Sequence, residues 1–351
     1  MKRELVIFNY AMDETSPVLA HQLASAVRLS KFFSKTTVVT AYKPNLLPES
    51  LQGITVLSTD WTPGKTAHNI FKFYRVSIPL LLKAKIRSHK ISVFSHMTDT
   101  QSALISPITR ALRVRHVLWY AHTTLSIQLK FAQLFVDKIV TSTAGSCPKL
   151  KRDVLPLGQA IDPSLFPYKS HASLNIINGI HIGRLDQSKN LEEIIVTCKS
   201  IRDLGFPVSF TQIGSPSNPA QEQLAEELRE SFKSESDSGW LSFVPSIPRA
   251  QLQEAFQSMD FFIHAFRGSL DKALLEATCS GLPVVTVNME YIQIFGSWGE
   301  VQDLSLKNEY LALSKLSTTS VNSELERRAR IVAQQHSLDH WIASLVKTLT
   351  E

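Results

Sequence analysis

Residues 181–195, HIGRLDQSKNLEEII, join an apolar run to a helical pattern through Gly183, Arg184 and Lys189. The run ends at Gly183, and apolar residues recur at helical spacing from Leu191 onward. A buried strand followed at once by a helix is the repeating unit of parallel α/β sheets. The stretch therefore predicts an α/β fold with Arg184 and Lys189 at the carboxyl end of a strand.

The start of this helix predicts an anion site. Asn190 followed by Glu193 has the spacing of a capping box, in which the two side chains bond free N–H groups at the helix start. A helix start also carries a partial positive charge, and open α/β sheets bind ligands beyond the carboxyl ends of their strands. Arg184 and Lys189 would add two fixed cations, which suits a diphosphate. Surface cations near an ordinary helix cap are the simpler alternative.

Short apolar runs and helical patterns alternate along the whole chain. A helix is predicted over 17–33, where Leu19, Leu23, Val27 and Phe33 share a face. The runs that predict strands are LVIF (5–8), TVVT (37–40), ITVL (54–57), ISVFSH (91–96), HVLWYA (116–121), KIVTS (138–142), NIINGIHIG (175–183), VSFTQIG (208–214), WLSFV (240–244), DFFIHAF (260–266) and PVVTVN (283–288). Two doubly wound α/β domains in tandem follow from this order.

Chain length and proline placement set the expected boundaries. A chain of 351 residues suits two domains, and the aperiodic stretch 155–173, with three prolines, is the expected linker. We predict an N-terminal Rossmann-like domain over 1–165, a C-terminal Rossmann-like domain over 166–335 and a final helix over 336–351. Packing of that helix on the N-terminal domain is one option for its apolar side.

Composition narrows the class of protein. Apolar residues make up 44% of the chain, but no run approaches the ~20 residues of a membrane span. The first residues lead directly into LVIF, which is too short for the apolar part of a signal peptide. Cys147, Cys198 and Cys279 are widely spaced and lack clustered His partners, so they support neither a disulfide framework nor a zinc site. A cytoplasmic protein is the expectation.

Charge is distributed unevenly. Residues 1–165 contain 21 Lys and Arg against 9 Asp and Glu, whereas the remainder contains 16 against 22. The excess is thickest over 61–98, which contains seven Lys or Arg and no acid. Such a surface attracts a membrane, a nucleic acid or an acidic substrate, and a merely solvated basic face is an equal alternative. Nucleic acid is disfavoured because no recognition motif accompanies the charge.

The segment 68–90 interleaves aromatic and leucine residues with Lys and Arg. This composition is typical of helices that lie on anionic membranes, so peripheral association with the inner face of the plasma membrane is one expectation. The alternative is an ordinary helix pair whose apolar side packs in the N-terminal core. Pro79 argues against a single uninterrupted helix.

A second element with anion-binding features occupies 264–285. Its strand ends at a turn with Gly268, where glycine lets the backbone approach a phosphate, and Asp271 can start a helix. Lys272 lies in the first turn, where helices favour acids, so its charge suggests a nearby anion. Glu276 is either an exposed helix carboxylate or an acceptor for two ribose hydroxyls.

The segment GRLDQSKNLEEII, followed by FVPSIPRAQLQEAFQSMDFFIHAFRGSLDKALLEATCSGLPVVTVN, resembles the donor half of a GT-B glycosyltransferase of the retaining family 4. LWYAHTT, DKIVTST and GQAIDPSLF resemble the acceptor half of the same family. The resemblance implies two Rossmann-like domains that face each other across a cleft. It also implies that Arg184 and Lys189 hold the donor diphosphate, that Glu276 binds the ribose, and that His122 approaches the transferred sugar or its phosphate.

One position departs from the family pattern. Gly268 stands where the family has the first acid of its Glu-x7-Glu motif. That acid usually helps to orient the donor sugar, so Asp271 is considered as a substitute. An acid at a helix start also has a simpler explanation in the helix dipole.

The resemblance and the strand ends together define the candidate site, in which His122 is the catalytic residue. The residues assigned to the donor diphosphate are Arg184, Lys189, Gly268, Ser269, Leu270 and Lys272, and the ribose is assigned to Glu276. The residues placed near the nucleotide are Gly214, Val244 and Ser246. The residues considered as donor-sugar or acceptor contacts are Asp271, His96, Met12 and Asp13.

These assignments imply a metal-independent retaining glycosyltransferase. A nucleoside-diphosphate sugar would bind mainly the C-terminal domain, and a glycan, lipid-linked or small-molecule acceptor mainly the N-terminal one. The donor is a co-substrate, and neither a cofactor nor a metal is expected. The alternatives are a degenerate protein that binds the sugar nucleotide without turnover and a nucleotide-sugar epimerase, for which a full set of acid and base residues is not identified.

Overall fold

The computed structural model describes residues 3–13, 20–43, 49–62, 64–87 and 90–351. The chain divides into two compact units, one formed by Met1–Gly158 with Asp339–Glu351 and the other by Gln159–Leu338. Residues 14–19, which include the beginning of the helix predicted over 17–33, lie outside the described residues. In the part of the chain that is described, no helix combines the length and the apolar character needed to cross a membrane.

The first unit is built on a parallel sheet. Its strands are β1 Glu4–Ala11, β2 Lys35–Tyr42, β3 Ile54–Ser58, β4 Ile91–His96, β5 Arg115–Trp119, β6 Lys138–Thr141 and β7 Val154–Pro156. Its helices before the chain leaves the unit are α1 Ala20–Ser30, α2 Thr66–Arg87, α3 Asp99–Ala111 and α4 Ile127–Ala132. The sheet has seven strands in the order β3-β2-β1-β4-β5-β6-β7. Successive residues Leu5, Val6, Ile7 and Phe8 of β1 are all buried, as expected for a parallel sheet covered on both faces.

The second unit repeats the plan with fewer strands. Its strands are β8 Asn178–Ile182, β9 Ser209–Ile213, β10 Leu241–Val244, β11 Phe261–His264 and β12 Val284–Thr286. Its helices are α5 Leu191–Arg202, α6 Pro219–Ser231, α7 Lys233–Asp237, α8 Leu252–Gln257, α9 Lys272–Cys279, α10 Met289–Phe295, α11 Leu306–Leu313 and α12 Thr318–Ile331. The parallel sheet has five strands in the order β10-β9-β8-β11-β12. In both sheets the chain order therefore reverses between two central strands.

The last helix, α13 Leu338–Thr350, packs with the first unit from Asp339 onward. Trp341, Ile342 and Leu345 on one side of it are buried. Arg3 and Arg115 donate hydrogen bonds to carbonyl groups of its last turn. Cations stabilise a helix at this end because the carbonyl end of its dipole is negative.

The helix α2 corrects one expectation. Pro79 was expected to prevent a single helix, yet Thr66–Arg87 is one helix with Pro79 inside it. A proline removes one backbone hydrogen bond, at a cost of about 3 kcal/mol. Burial of Phe73, Leu81 and three smaller residues on the inner side of α2 offsets that cost. The apolar side predicted to pack in the N-terminal core does so.

Strand β7 is an element that the sequence did not predict. It lies at the beginning of the stretch 155–173, which was expected to be an irregular linker. The strand has three residues, pairs only with β6 and ends in Pro156. Short edge strands tolerate proline because one side of the strand needs no hydrogen-bond donors. Each strand predicted from an apolar run is present.

Candidate functional site

The candidate site lies beyond the carboxyl ends of β8 and β11, where the strand order of the second sheet reverses. The loop after β8 runs from Gly183 to Asn190 and leads into α5, and the loop after β11 runs from Ala265 to Asp271 and leads into α9. Neighbouring parallel strands end at the same edge of their sheet, so the two loops lie beside each other. Ligands of open α/β sheets bind at such reversal points.

Lys189 and Asp271 connect the two loops. The ammonium of Lys189 forms an ion pair with Asp271 and lies 4.4 Å from the centre of the Phe266 ring. Only 13% of the Lys189 side chain is exposed. Arg184 is exposed, and its guanidinium makes no hydrogen bond or ion pair with any residue that the structure describes. The structure therefore places one predicted cation inside an ion pair and the other on the surface.

Asp271 is ionised inside this arrangement. Burial would raise the pKa of its carboxyl, but a hydrogen bond from His264 and the charge of Lys189 outweigh burial, so the pKa lies below its usual range. The His264 Nε2 atom lies 3.4 Å from the Asp271 carboxylate. Burial lowers the pKa of His264, so a neutral imidazole stands behind the carboxylate. Lys189 is thus the cation that balances Asp271.

The predicted capping box at the start of α5 is wrong. Asn190 has a left-handed backbone with φ of 50° and makes no side-chain cap bond. Its side-chain amide donates to the carbonyl of Ala265 in the neighbouring loop at 3.3 Å. Glu193 instead accepts two hydrogen bonds of 2.6 Å from Arg267. Asn190 therefore links the two loops, and Glu193 links α5 to the loop after β11. Both side chains bind partners in that loop instead of the free N–H groups at the helix start.

The loop after β11 leaves no room for a side chain at position 268. A Cβ atom added to Gly268 would lie 2.1 Å from the ring of Phe266. Asn288 holds this loop, because its amide donates to the carbonyls of Phe266 at 2.9 Å and Gly268 at 3.1 Å. The amide also lies 3.4 Å from the carbonyl of Ser269, and the buried Leu270 presents its carbonyl to Gln159. An aromatic ring therefore occupies the space that an acid at 268 would use.

Glu276 is buried and paired rather than exposed. Its side chain is 6% exposed and accepts a hydrogen bond of 2.7 Å from Arg249. The Arg249 guanidinium lies 5.5 Å from the ring centre of Phe166, and about half of its side chain is exposed. Burial raises the pKa of Glu276, although Arg249 and Lys272 oppose the shift. A buried carboxylate with one accessible cationic partner is suited to accept further hydrogen bonds.

Lys272 begins α9 next to Glu276. Burial lowers the pKa of its ammonium to about 8, and the charge of Glu276 opposes that shift. Asp271 occupies the cap position before α9 but makes no side-chain cap bond, because its carboxylate is turned to Lys189 and His264. The first turn of α9 therefore contains a lysine whose protonation near neutral pH depends on the charges around it.

The residues predicted near the nucleotide line the same edge of the sheet. Gly214 donates to the carbonyl of Val244 at 2.9 Å, and Ser246 donates to the hydroxyl of Ser215 at 2.9 Å. Gly214 has a φ of 156°, and a Cβ atom there would lie 1.8 Å from the carbonyl oxygen of Gly183. Only glycine permits this close approach of the loops after β8 and β9.

The candidates in the first unit separate into buried and accessible residues. His96 is 3% exposed and packs against aromatic rings, with that of Trp341 at 5.9 Å between centres. Met12 is also buried, and its sulfur accepts a hydrogen bond from Asn9. Asp13 is half-buried, and His122, which follows β5, is exposed. Asp13 and His122 are therefore the accessible candidates as the unit stands.

Three side chains of the site were not predicted from the sequence. Phe266 and Asn288 shape the loop after β11, and Arg249 covers Glu276 from a short turn before α8. Arg249 could have been considered, because it is a cation within the segment that carries the family resemblance. Phe266 and Asn288 gave no signal, because an aromatic residue and an asparagine at strand ends are ordinary.

Comparison with known proteins supports the fold and part of the family resemblance. The profile of the family described as "Glycosyl transferases group 1" matches residues 178–298. No curated protein matches the chain. The match covers the loops after β8 and β11 with Lys189, Asp271 and Glu276.

Solved structures resemble the chain over its whole length. HepE from Anabaena, solved in complex with UDP, has 12% identity and a TM-score of 0.71, with 99% of each chain covered. Sucrose-phosphate synthase from Thermosynechococcus elongatus has 13% identity and a TM-score of 0.72, covering 99% of this chain and 98% of that one. A glycosyltransferase from Rickettsia africae has 10% identity and a TM-score of 0.73, covering 99% and 97%.

These structures are GT-B glycosyltransferases, and identities this low establish the fold alone. The predicted fold class, two Rossmann-like α/β domains of the GT-B type, is confirmed. The chain therefore has the GT-B fold, and its residues 178–298 carry the sequence pattern of the group 1 glycosyl transferases.

Proposed function

We propose that this protein is a retaining glycosyltransferase of the family 4 type. It would move a sugar from a nucleoside-diphosphate sugar to a glycan, lipid-linked or small-molecule acceptor. The observation that carries the proposal is the cluster of Lys189, Asp271, Lys272 and Glu276 beyond β8 and β11. The cluster lies at the reversal point of the sheet and within the segment that matches the glycosyl transferase family.

The donor diphosphate is assigned to the cations of the cluster. Without a ligand, the charge of Lys189 is balanced by Asp271, so an incoming diphosphate has to share or replace that partner. Arg184 supplies an exposed charge on the loop after β8. Together with Lys272, these groups can stabilise the charge that develops on the departing diphosphate. A reaction without a metal ion is part of this proposal.

The ribose is assigned to Glu276. An ionised carboxylate only accepts hydrogen bonds, and the two neighbouring hydroxyls of a ribose can both donate to one carboxylate. Arg249 engages one oxygen of Glu276 in the protein without ligand. The ribose would either use the other oxygen or displace the half-exposed Arg249 side chain, which has freedom to move aside.

The acceptor side is assigned to the accessible polar residues of the first unit, Asp13 and His122. In the proposed reaction the acceptor oxygen forms the new bond to the sugar as the bond to the diphosphate breaks. The acceptor attacks the face of the sugar from which the diphosphate leaves, so the configuration is retained without a covalent intermediate on the protein. The departing phosphate oxygen takes the acceptor proton. His122 would contact the transferred sugar or its phosphate.

One observation favours a second candidate function. The ring of Phe266 fills the space beside Gly268, so no acid at that position can orient the donor sugar. A protein that binds the sugar nucleotide without turnover is the corresponding alternative. Asp271, which lies three residues after Gly268 and belongs to the cluster, is the acid that a functioning enzyme would use.

The test begins with nucleotide binding, because neither the base nor the sugar is assigned. Calorimetric titration with UDP, GDP, ADP, CDP and dTDP should identify one that binds. Arg184→Met and Lys189→Met should each weaken that binding by roughly tenfold or more, as expected for a lost charged hydrogen bond. Arg229→Met, which removes an exposed cation from α6, should leave it unchanged. Arg184 is exposed, so its variant keeps the test independent of folding.

Ribose recognition gives a second arm of the same test. The wild-type protein should prefer the ribonucleotide over its 2′,3′-dideoxy analogue, and Glu276→Gln should reduce that preference. Donor sugars are then tested for transfer, with and without a chelator, and NMR reports the configuration of the product. Absence of binding to all five nucleotides rules out the proposal. Binding without transfer or hydrolysis selects the non-catalytic alternative.

A further inference from the structure

Helix α2 has a second apolar face that points away from the core. The side that packs in the unit is formed by Asn69, Phe73, Ser77, Leu81 and Ala84. The exposed apolar residues are Phe71 at 64%, Leu82 at 43% and Ile86 at 84%. At roughly 100° per residue these three lie within an arc of roughly 60°, on the side opposite the buried set. We call Phe71, Leu82 and Ile86 the outer stripe.

Cations accompany the outer stripe. Arg75 lies within its arc, Lys72 and Lys83 border it on one side, and Lys85 borders it on the other. None of these four cations forms an ion pair with a residue in the described ranges of the chain. The cation of α2 that is paired, Arg87, contacts Glu4 at 2.6 Å. The sequence has no acid between residues 61 and 98.

A partner for this face has to provide negative charge and an apolar interior together. Single exposed apolar residues are common on protein surfaces, but an aligned stripe bordered by unpaired cations is the pattern of a helix that lies in a membrane interface. Long Lys and Arg side chains can place their apolar stems in the interface and their charges at lipid phosphates. We propose that α2 lies flat on an anionic lipid bilayer, with the outer stripe inserted below the headgroups. This inference does not depend on the proposed function.

The experiment uses the full chain and sedimentation with two kinds of vesicle. One kind is phosphatidylcholine alone, and in the other about a third of the lipid is phosphatidylglycerol, which carries a negative charge. The protein should sediment with the anionic vesicles, remain in solution with the neutral ones, and detach as salt is raised. Binding to neither kind, or equal binding to both, overturns the proposal.

Variants then locate the contact. Phe71→Ser, Leu82→Ser and Ile86→Ser combined should weaken binding to anionic vesicles by at least about tenfold, because the inserted apolar area is lost. Lys72→Gln, Lys83→Gln and Lys85→Gln combined should have a similar effect and reduce the salt dependence. Unchanged binding of either combined variant would overturn the proposal, because it requires both the inserted stripe and the cations beside it.

A matched control separates the stripe from surface hydrophobicity in general. Val196 and Leu204 in the second unit are 50% and 54% exposed, and the combined variant Val196→Ser with Leu204→Ser should bind vesicles like the wild type. All substituted side chains are at least partly exposed, so far-UV circular dichroism and the Tm should stay unchanged. Equal losses in the control and in the stripe variant would contradict a specific role for α2.

Discussion

Lys272 is a residue whose charge is set by its surroundings near neutral pH. Burial lowers its pKa to about 8, so the free protein carries this charge at pH 7 and has largely lost it at pH 9. A bound diphosphate favours the ammonium form and raises the pKa again. Above pH 8, binding therefore has to take up a proton, and the affinity for nucleotide falls as pH rises.

The resulting prediction concerns the pH dependence of nucleotide affinity. Between about pH 7 and 8 the affinity should be nearly constant, and above that it should fall by up to about tenfold per pH unit. Lys272→Gln should bind more weakly at pH 7 but show a flat profile. Calorimetric titration with the nucleotide that binds the wild type checks both statements. A variant that keeps the slope of the wild type would show that another group titrates.

The sequence was informative about single residues where the signal was local. Lys189 and Glu276 were selected as candidates because each lies close to a predicted helix start and within the segment that resembles the family. Arg249 was missed because its partner is 27 residues away, and Asn288 because the carbonyls it holds lie about 20 residues earlier. The predicted capping box failed for the same reason, since Asn190 and Glu193 have partners in the loop after β11. Tertiary partners outcompeted local ones.

At the scale of elements, the glycine that ends α9 packs closely against another segment of the second unit. The N–H of Gly281 donates to the carbonyl of Thr278, and that of Leu282 donates to Ala277, which is the Schellman arrangement. Gly281 has a φ of +84°, and a Cβ atom there would lie 2.5 Å from the carbonyl oxygen of Lys169. Gly205, after α5, has a φ of +93° with open space around it.

These two glycines give a matched prediction on stability. Both Gly205→Ala and Gly281→Ala force alanine into a left-handed backbone, at a cost of about 1–2 kcal/mol. Gly281→Ala also has to move the Lys169 carbonyl, so we expect a total loss of about 2–4 kcal/mol. Urea unfolding of the two variants measures the difference. Equal losses of unfolding free energy in the two variants would show that the Lys169 carbonyl can shift without destabilising the protein.

Elements were predictable from the sequence where burial was regular. Central strands such as β1 and β11 are buried on both faces, so they appear as continuous apolar runs. Every strand except β7 was predicted from an apolar run. The strand β7 was missed because three residues that include Pro156 have no period. The helix α2 was expected to break at Pro79, but the burial of its inner side outweighs one lost hydrogen bond. A local rule about proline cannot predict the outcome, because it takes no account of the free energy gained by burying the inner side of the helix.

At the scale of the molecule, two separate segments of the chain form the first unit. The residues Asp339–Glu351 complete the first unit. Among them, Trp341 is only 1% exposed, and its ring packs against those of Phe94, His96 and Trp119. The second unit contains the proposed nucleotide site and a tryptophan of its own, Trp240, at 8% exposure. Each unit has its own sheet and core, so each can show its own unfolding transition.

The two tryptophans test whether the last helix stabilises the first unit. Trp341→Ala should lower the stability of the first unit by about 3–5 kcal/mol, because a large side chain leaves a cavity in a packed core. Trp240→Ala should do the same in the second unit. In thermal scans with and without nucleotide, the transition that the ligand raises belongs to the second unit. Trp341→Ala should lower the other transition, and Trp240→Ala the raised one. If Trp341→Ala lowers the transition that responds to nucleotide, the last helix supports the second unit instead, because a cavity destabilises the core in which it opens.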